Sequence, residues 1–299
     1  MLEEKINTSV LGVIPYFHLD IEDEDSLTER FRKKSRSGLA KIAVIRLPRI
    51  SNFTDIAPLE AVDELDVSYV SNISQFGDPD VVIIPGSKNT ISDLLWMRQN
   101  GLEGKILRHA AKGGIVFGIC GGYQMLGQSI SDPTGAEQKG TVRGMGLLPV
   151  TTVFEQEKRR TRVSGRFAKV GGALAEMSGV CYEGYEIHMG RTVLSKGTVP
   201  LVYMEEEGEQ RQDGAQSDHV YGCYMHGIFD MSETVKTFLA AVLRKKGIDP
   251  SKITVRDRNA YKEEQYDRLA SIVRENLNME AVYKIIEKGN EASCSLLSE

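Results

Sequence analysis

The segment Val116-Phe-Gly-Ile-Cys-Gly-Gly-Tyr-Gln124 joins a short apolar run to a cysteine that is surrounded by glycines. The apolar run predicts a buried strand that ends at Cys120, and the spacing after Tyr123 predicts a helix. A nucleophile at such a turn is the layout of a nucleophile elbow, here with a thiol instead of a hydroxyl. The glycines permit the strained backbone of the turn and let a substrate approach the sulfur. The segment therefore predicts an α/β fold with a reactive cysteine at the end of a strand.

A second interpretation of Cys120 is that it is a small apolar residue beside a glycine-rich turn. Free cysteines are among the most buried residue types, so burial alone would account for one in this position. The glycines and the helix that follows favour the functional interpretation, because backbone N–H groups at a helix start can stabilise an oxyanion.

Strands and helices alternate around this turn. Residues 41–46, 67–70, 80–85 and 114–118 are apolar and rich in β-branched side chains, while residues 91–100 and 104–112 have helical spacing. This alternation predicts an open, mostly parallel sheet that is flanked by helices. After residue 144 the pattern changes. Strands are predicted at 147–154, 162–167, 181–188, 201–204 and 220–225, and helices at 231–246 and 261–288.

The chain divides into three predicted parts. Residues 1–38 hold one short strand-like run at 10–15 and too little apolar material to fold alone. Residues 39–246 form the α/β domain. Residues 247–299 are expected to form a helical extension whose last residues, from 289, are small, polar and frayed.

Charge and composition exclude several classes of protein. The formal net charge is −5 and no long basic block is present, which argues against a nucleic-acid partner. No apolar stretch approaches the roughly 18 residues that span a bilayer, and the start of the sequence has no secretory pattern. The four cysteines show neither Cys-x-x-Cys nor metal-ligand spacing. We therefore expect a cytoplasmic protein with reduced thiols, no membrane partner and no bound metal.

A cysteine nucleophile needs a base, and five histidines are available. His226 follows an apolar strand and precedes a glycine, which places it at the carboxyl edge of the sheet, where sites of α/β proteins collect. His18 and His109 are expected at the surface, and His188 and His219 remain alternatives. We expect His226 to be the base.

These features resemble a known family. Gly118-Ile-Cys-Gly-Gly-Tyr-Gln124 together with a late strand-end histidine is similar to the class I glutamine amidotransferases, which have a flavodoxin-like fold. Over residues 10–288 the chain further resembles the glutaminase portion of the cobyric acid synthases of cobalamin biosynthesis. The matching segments are Arg46-Leu-Pro-Arg-Ile-Ser-Asn-Phe-Thr-Asp55, Pro85-Gly-Ser-Lys-Asn-Thr90, Gly184-Tyr-Glu-Ile-His-Met-Gly190 and Tyr224-Met-His-Gly-Ile-Phe-Asp230. The first of these segments is the most discriminating.

The resemblance implies a role for each matching residue. In the family a thiolate attacks the side-chain amide of glutamine, ammonia leaves, and water hydrolyses the resulting thioester. Cys120 matches the nucleophile, and His226 matches the residue that holds the thiolate and protonates ammonia. Gly86 and Gly121 match the backbone donors of the oxyanion hole, and Gln124 matches a contact to bound glutamine.

One departure from the family concerns the residue that orients the histidine. Most class I amidotransferases carry a carboxylate two residues after it, but this chain has Ile228. Glu186 and Asp230 are therefore the candidate orienting residues. Glu186, together with Arg191, is alternatively expected to serve an ammonia route or an interface.

A second departure concerns the synthetase domain that cobyric acid synthases carry, which uses ATP and Mg²⁺. The sequence contains no Gly-x4-Gly-Lys-Ser/Thr segment, and residues 1–38 resemble only the last piece of that domain. The resemblance implies that this chain binds glutamine and no cofactor, and that the synthetase domain is its partner. The corrinoid substrate, adenosylcobyrinic acid a,c-diamide, would be bound through that domain. Glutaminase activity without it is expected to be weak or absent.

Other functions remain open from the sequence. The chain could be the glutaminase of another ligase, of the cobyrinate a,c-diamide synthase or isoglutaminyl synthase type, although residues 51–55 favour the first assignment. It could also be a non-catalytic module with the same fold, but the cysteine and the histidine are both present. A cysteine hydrolase acting on a peptide is disfavoured by Gln124.

Overall fold

The computed structural model describes residues 2–17, 19, 38–206, 209–252 and 258–295. They fall into two compact units, of which one is Asp25–Arg256 and the other combines Met1–Glu24 with Asp257–Glu299. Both ends of the chain thus belong to one unit, whereas the sequence suggested two separate segments. The three-part division into functional domains stays a prediction.

The larger unit contains an α/β core and a second, mainly antiparallel sheet. Its strands, numbered along the chain, are β1 Ala40–Ile45, β2 Ile50–Ser51, β3 Leu65–Val70, β4 Val81–Ile84, β5 Gly86–Ser87, β6 Ile115–Ile119, β7 Ser129–Asp132, β8 Gly140–Arg143, β9 Val150–Phe167, β10 Cys181–Leu194, β11 Val202–Glu206, β12 Glu209–Asp213, β13 Ala215–Ser217 and β14 Val220–Cys223. The α-helices of the described residues in both units are α1 Leu2–Ile6, α2 Ala57–Glu60, α3 Thr90–Gln99, α4 Leu102–Ala111, α5 Gly121–Leu126, α6 Ser232–Lys245, α7 Arg258–Asn276 and α8 Met279–Ser295, and 3₁₀ turns lie at Phe53–Ile56, Gly172–Met177 and Pro250–Lys252.

The central sheet has the strand order β13-β14-β6-β4-β1-β3. Every neighbouring pair is parallel except β13–β14. All residues of β4 and β6 are buried, as expected for parallel strands that are covered on both faces. Helix α6 contributes buried side chains at helical spacing, among them Val235, Phe238 and Leu239. The prediction of an open, mostly parallel sheet flanked by helices is confirmed.

The second sheet has the order β12-β11-β9-β7-β8, with β10 paired to β9. The sequence predicted two strands where β9 is one strand, because residues 155–161 are polar and give no apolar signal. Backbone pairing with β10 extends through that stretch, since ladder hydrogen bonds do not depend on side-chain polarity. The helix after Cys120 is also shorter than predicted, and β7 begins at Ser129.

The smaller unit brings the N-terminal segment against the C-terminal helices. The predicted helix over 261–288 is divided between α7 and α8, and Leu277 at the break forms a β-bridge with Gly12. The backbone N–H of Asn278 donates to the Leu11 carbonyl at 2.7 Å. A side chain at position 12 would collide with the Asn276 carbonyl. The predicted strand at 10–15 is therefore reduced to one bridge. Residues from 289 onward were predicted to be frayed, but helix α8 continues to Ser295.

Candidate active site

Cys120 lies at the sharp turn between β6 and α5. Its backbone has φ 51° and ψ −109°, a region that non-glycine residues rarely adopt and that costs about 1–3 kcal/mol. The turn is held because the Cys120 N–H donates to the Cys223 carbonyl at 2.9 Å, and the Cys120 carbonyl accepts from Gln124 at 3.1 Å. A side chain on Gly122 would collide with the carbonyl oxygen of Ile84, so this position must be glycine for α5 to pack on β4. The structure thus places Cys120 at the end of a strand, as the sequence predicts.

Strand β10 runs directly over the thiol. The Sγ atom of Cys120 donates to the carbonyl of Ile187 at 3.8 Å, and only 6% of Cys120 is exposed. Two residues earlier, Tyr185 exchanges two backbone hydrogen bonds with His226, of 2.9 and 3.1 Å. A side chain on Gly184 would collide with the His226 carbonyl, which explains the glycine in this segment. The backbone of β10 therefore fixes the main chain of His226 beside the covered thiol.

The imidazole of His226 is buried and is bound at both ring nitrogens. Nδ1 lies 2.7 Å from Oδ2 of Asp55, and Nε2 lies 3.1 Å from Nδ2 of Asn52. The ring of Tyr185 stacks on it, with 5.2 Å between ring centroids and an interplanar angle of 24°. Burial lowers the pKa of His226, but the charge and hydrogen bond of Asp55, together with Cys120, raise it to about 10. Asp55 and Cys120 therefore favour the imidazolium form of His226.

Asp55 is the carboxylate at His226, and no local sequence pattern singled it out. It lies in the 3₁₀ turn Phe53–Ile56, is 2% exposed, and uses both carboxylate oxygens, because Oδ1 accepts from the Gly227 N–H at 2.8 Å. Asp55 and His226 are 171 positions apart in the sequence, so no local spacing could pair them. The sequence did contain one pointer to this residue, because Asp55 ends the segment that most clearly resembles the family. That segment indicated the family but not the role of its last residue.

Glu186 and Asp230, the predicted orienting residues, are not the carboxylates that bind Nδ1 of His226. The carboxylate of Glu186 is buried and lies 2.5 Å from Arg211 and 3.0 Å from Arg159. Burial raises the pKa of Glu186, but His188 and the two arginines lower it below its usual range. The backbone N–H of Asp230 donates to the Gly227 carbonyl at 2.8 Å. The structure corrects the prediction, because the carboxylate at Nδ1 of His226 is that of Asp55.

Gly86 and Gly121 converge beside the thiol. Gly86 lies in β5, which pairs with β2, and a Cβ there would lie 3.2 Å from Cε1 of His226. Gly121 is the first residue of α5, and a Cβ there would lie 3.0 Å from the backbone nitrogen of Ser87. Both positions thus have no side chain near the reacting groups, and their role as backbone donors to an oxyanion stays a prediction.

The side chain of Gln124 is buried in the wall of the site. Its Oε1 accepts from Thr90 at 3.1 Å, and its Nε2 donates to the Met189 carbonyl and the Tyr224 hydroxyl, each at 3.1 Å. The amide therefore ties α5 to β10 and to the end of β14. Its predicted contact with glutamine stays a prediction.

A cavity of about 340 Å³ lies on the side of β10 that carries His188. The rings of His188 and Tyr224 stack in its wall, with 3.6 Å between centroids. Arg191 also lines it, is mostly exposed, and pairs with Glu155 at 3.3 Å. The chemistry described above lies instead at Cys120 and His226, which do not appear in the wall of this cavity among the described residues. Arg191 and His188 thus belong to a neighbouring surface.

Two features are absent from the part of the chain that the structure describes. Within it, no group of three His, Cys, Asp or Glu side chains is arranged to hold a metal ion. Nor does any helix there combine the length and the apolar composition that a membrane crossing needs.

Several known proteins are similar to this chain in sequence. Residues 41–234 match the family described as the CobB/CobQ-like glutamine amidotransferase domain. A cobyric acid synthase of Ruminiclostridium cellulolyticum is 53% identical over 97% of this chain, and one of Lachnoclostridium phytofermentans is 44% identical over 95%. This chain spans 57% of the length of each of those two proteins.

The fold has a counterpart among solved structures. A chain in the structure of PurLQS from Thermotoga maritima superposes with a TM-score of 0.51 at 18% identity, covering 69% of this chain and 99% of that one. At this identity the likeness concerns the fold alone. With the match over residues 41–234, we conclude that the chain belongs to the family of CobB/CobQ-like glutamine amidotransferase domains.

Proposed function

We propose that this chain is the glutaminase portion of a cobyric acid synthase and that it hydrolyses glutamine through a thioester on Cys120. One observation carries the proposal. The thiol of Cys120, at the strand-to-helix turn, lies beside a buried histidine whose Nδ1 is bound by a buried carboxylate at 2.7 Å. A nucleophile, a base and an orienting group in this order are the usual parts of covalent acyl transfer.

The proposed cycle uses these groups in two half-reactions. The Cys120 thiolate attacks the side-chain amide carbon of glutamine, and the backbone N–H groups of Gly86 and Gly121 stabilise the resulting oxyanion. His226 gives its Nε2 proton to the amide nitrogen, the C–N bond breaks, and ammonia leaves. Neutral His226 then takes a proton from water, the hydroxide attacks the thioester, and glutamate departs with recovery of the thiolate.

Asp55 has two roles in this cycle. Its Oδ2 accepts from Nδ1–H, which leaves Nε2 directed to the reacting groups, and its negative charge stabilises the imidazolium. Its second oxygen fixes the backbone of Gly227, next to the histidine. The buried carboxylate therefore positions both the ring and its main chain.

The reaction of the whole protein is part of the proposal. Ammonia from this chain would be used for the ATP- and Mg²⁺-dependent amidation of carboxylates of adenosylcobyrinic acid a,c-diamide. That step would take place on a synthetase domain, which is consistent with the greater length of the relatives. We place this chemistry in the cytoplasm, where the thiol would stay reduced.

The test measures ammonia release from glutamine by the chain alone and with a separately supplied synthetase domain. We expect release that rises with the synthetase domain and disappears in Cys120→Ser, a variant of nearly the same size. A glutamine-analogue electrophile should label Cys120 in the wild type. If a folded sample shows neither release nor labelling in either setting, Cys120 is not a nucleophile and the chain is a non-catalytic module.

A further inference from the structure

Asn52 has an unusual conformation for an asparagine at the start of a helical turn. Its backbone is left-handed, with φ 48° and ψ 44°, and it directly precedes the turn Phe53–Ile56. Asparagine in this position normally accepts a hydrogen bond from the backbone of the turn, but here the side chain makes no such bond. The amide is directed to the catalytic histidine instead.

Both ends of the Asn52 amide are held. Its Nδ2 lies 3.1 Å from Nε2 of His226, and its Oδ1 accepts from the Tyr185 hydroxyl at 3.1 Å. Tyr185 also stacks on the imidazole, so one side chain of β10 fixes both the ring and the amide beside it. Side chains from two other segments, Asn52 and Tyr185, therefore contact the imidazole of His226 and each other.

Nε2 is the nitrogen that must exchange protons with Cys120, because Nδ1 is bound to Asp55. An amide N–H at the Nε2 lone pair competes with the thiol proton and stabilises neutral imidazole. In the imidazolium, Nε2–H and Nδ2–H would be two donors facing each other. The amide must then turn over and present Oδ1, which the Tyr185 hydroxyl permits because it can accept as well as donate.

We infer that Asn52 is a positioning residue that opposes protonation of His226 in the resting site and thereby restrains proton transfer from Cys120. The inference rests on the proposed function. The titratable groups that face His226 are Asp55 on the 3₁₀ turn, Cys120 on the elbow and Tyr185 on β10. Asp55 and Cys120 favour the imidazolium, so Asn52 acts against their charges.

The test variant is Asn52→Gly, because glycine adopts the left-handed backbone without strain while the amide is removed. The measurement is the rate of Cys120 alkylation by iodoacetamide, followed by mass spectrometry across the neutral pH range. Loss of one hydrogen bond of ordinary strength predicts labelling that is about fivefold faster, and a lower pH midpoint for it. Cys181, which is a free and exposed thiol, is an internal control whose rate should not change.

Two further variants separate a positioning role from a structural one. Tyr185→Phe keeps the stacked ring but removes the hydroxyl that anchors the amide, so it should give a smaller acceleration in the same direction. In a His226→Ala background, Asn52→Gly should have no further effect, because the competing lone pair is gone.

Unchanged or slower labelling of Cys120 in a folded Asn52→Gly protein would overturn the inference and leave the proposed function intact. An equal effect of Asn52→Gly with and without His226 would overturn it as well. Failure of the proposed function has a different signature, because a glutamine analogue would then leave wild-type Cys120 unlabelled whatever residue stands at position 52.

Discussion

Replacement of Asp55 by Asn tests the contact on which the proposed mechanism depends most. The carboxylate accepts from Nδ1 of His226 at 2.7 Å and from the Gly227 N–H at 2.8 Å. An asparagine has one accepting oxygen and one donating nitrogen. If its oxygen faces Gly227, its amide N–H faces Nδ1 and the histidine proton moves to Nε2, which is the wrong nitrogen for a base. If its oxygen faces Nδ1, two donors meet at Gly227.

The magnitude follows from the charge that is lost. Two unit charges at the 2.7 Å separation attract by ~6 kcal/mol at an effective dielectric constant of 20. Burial of the ring opposes this attraction, and the net rise of the His226 pKa from 6.5 to about 10 corresponds to roughly 5 kcal/mol. Cys120 contributes part of that rise. Assigning ~4 kcal/mol to Asp55 predicts a fall in kcat of about 10³-fold.

The assay is single-turnover formation of the thioester from glutamine, together with steady-state ammonia release. Asp132→Asn is the matched control, because Asp132 is an equally buried carboxylate whose oxygens accept from the backbone of residues 135–138. We expect that control to lose stability and keep kcat within a few-fold of the wild type. An Asp55→Asn protein that is folded and retains more than about a tenth of wild-type kcat would refute the role assigned to Asp55.

Three other outcomes follow from the same structure. The raised pKa of His226 stabilises the fold fully below pH 6.5, and this contribution disappears as the pH rises through about 10. The difference in unfolding free energy between wild type and Asp55→Asn should therefore shrink between pH 6.5 and 10, as measured by denaturant titrations at stepped pH. Gly122→Ala should lower the unfolding free energy by roughly 2 kcal/mol through its backbone clash. Gly104→Ala, where a helical Cβ would meet only the flexible Arg108 side chain at van der Waals distance, should raise it by about 0.5–1 kcal/mol. Glu186→Gln should lower stability by about 1 kcal/mol, because the buried carboxylate loses its charge while the partly exposed Arg159 and Arg211 remain solvated. It should change kcat of the glutaminase only a few-fold, and a loss as large as that of Asp55→Asn would reinstate Glu186 as the orienting residue.

The features that could be predicted from sequence are those with a local pattern. The apolar runs of β4 and β6 and the glycines around Cys120 mark the core and the elbow, since burial and a sharp turn restrict nearby residue types. His226 could be placed because a strand end and a glycine flank it directly. In each case the sequence pattern that identifies the feature lies within a few residues of the position itself.

The features that could not be predicted depend on pairing between distant segments. The polar middle of β9 becomes a strand only through its ladder with β10, and β12 is a strand of polar residues for the same reason. The contact of Asp55 with His226 joins residues 171 positions apart. Glu186 seemed a suitable orienting residue because it lies in a family segment, but the alternation of β10 directs it to the arginines on the other face, away from Tyr185 and the thiol.

The backbone of Cys120 implies a trade-off between activity and folding stability. At φ 51° every residue with a side chain is strained, so the fold would gain stability if the nucleophile were replaced by glycine. Selection for a thiol at this point therefore works against selection for a robust fold, and mutational drift after loss of function should favour glycine there. For the same reason serine is the better inactive reference, because it carries the same backbone strain, and a glycine variant would combine loss of chemistry with a gain in melting temperature.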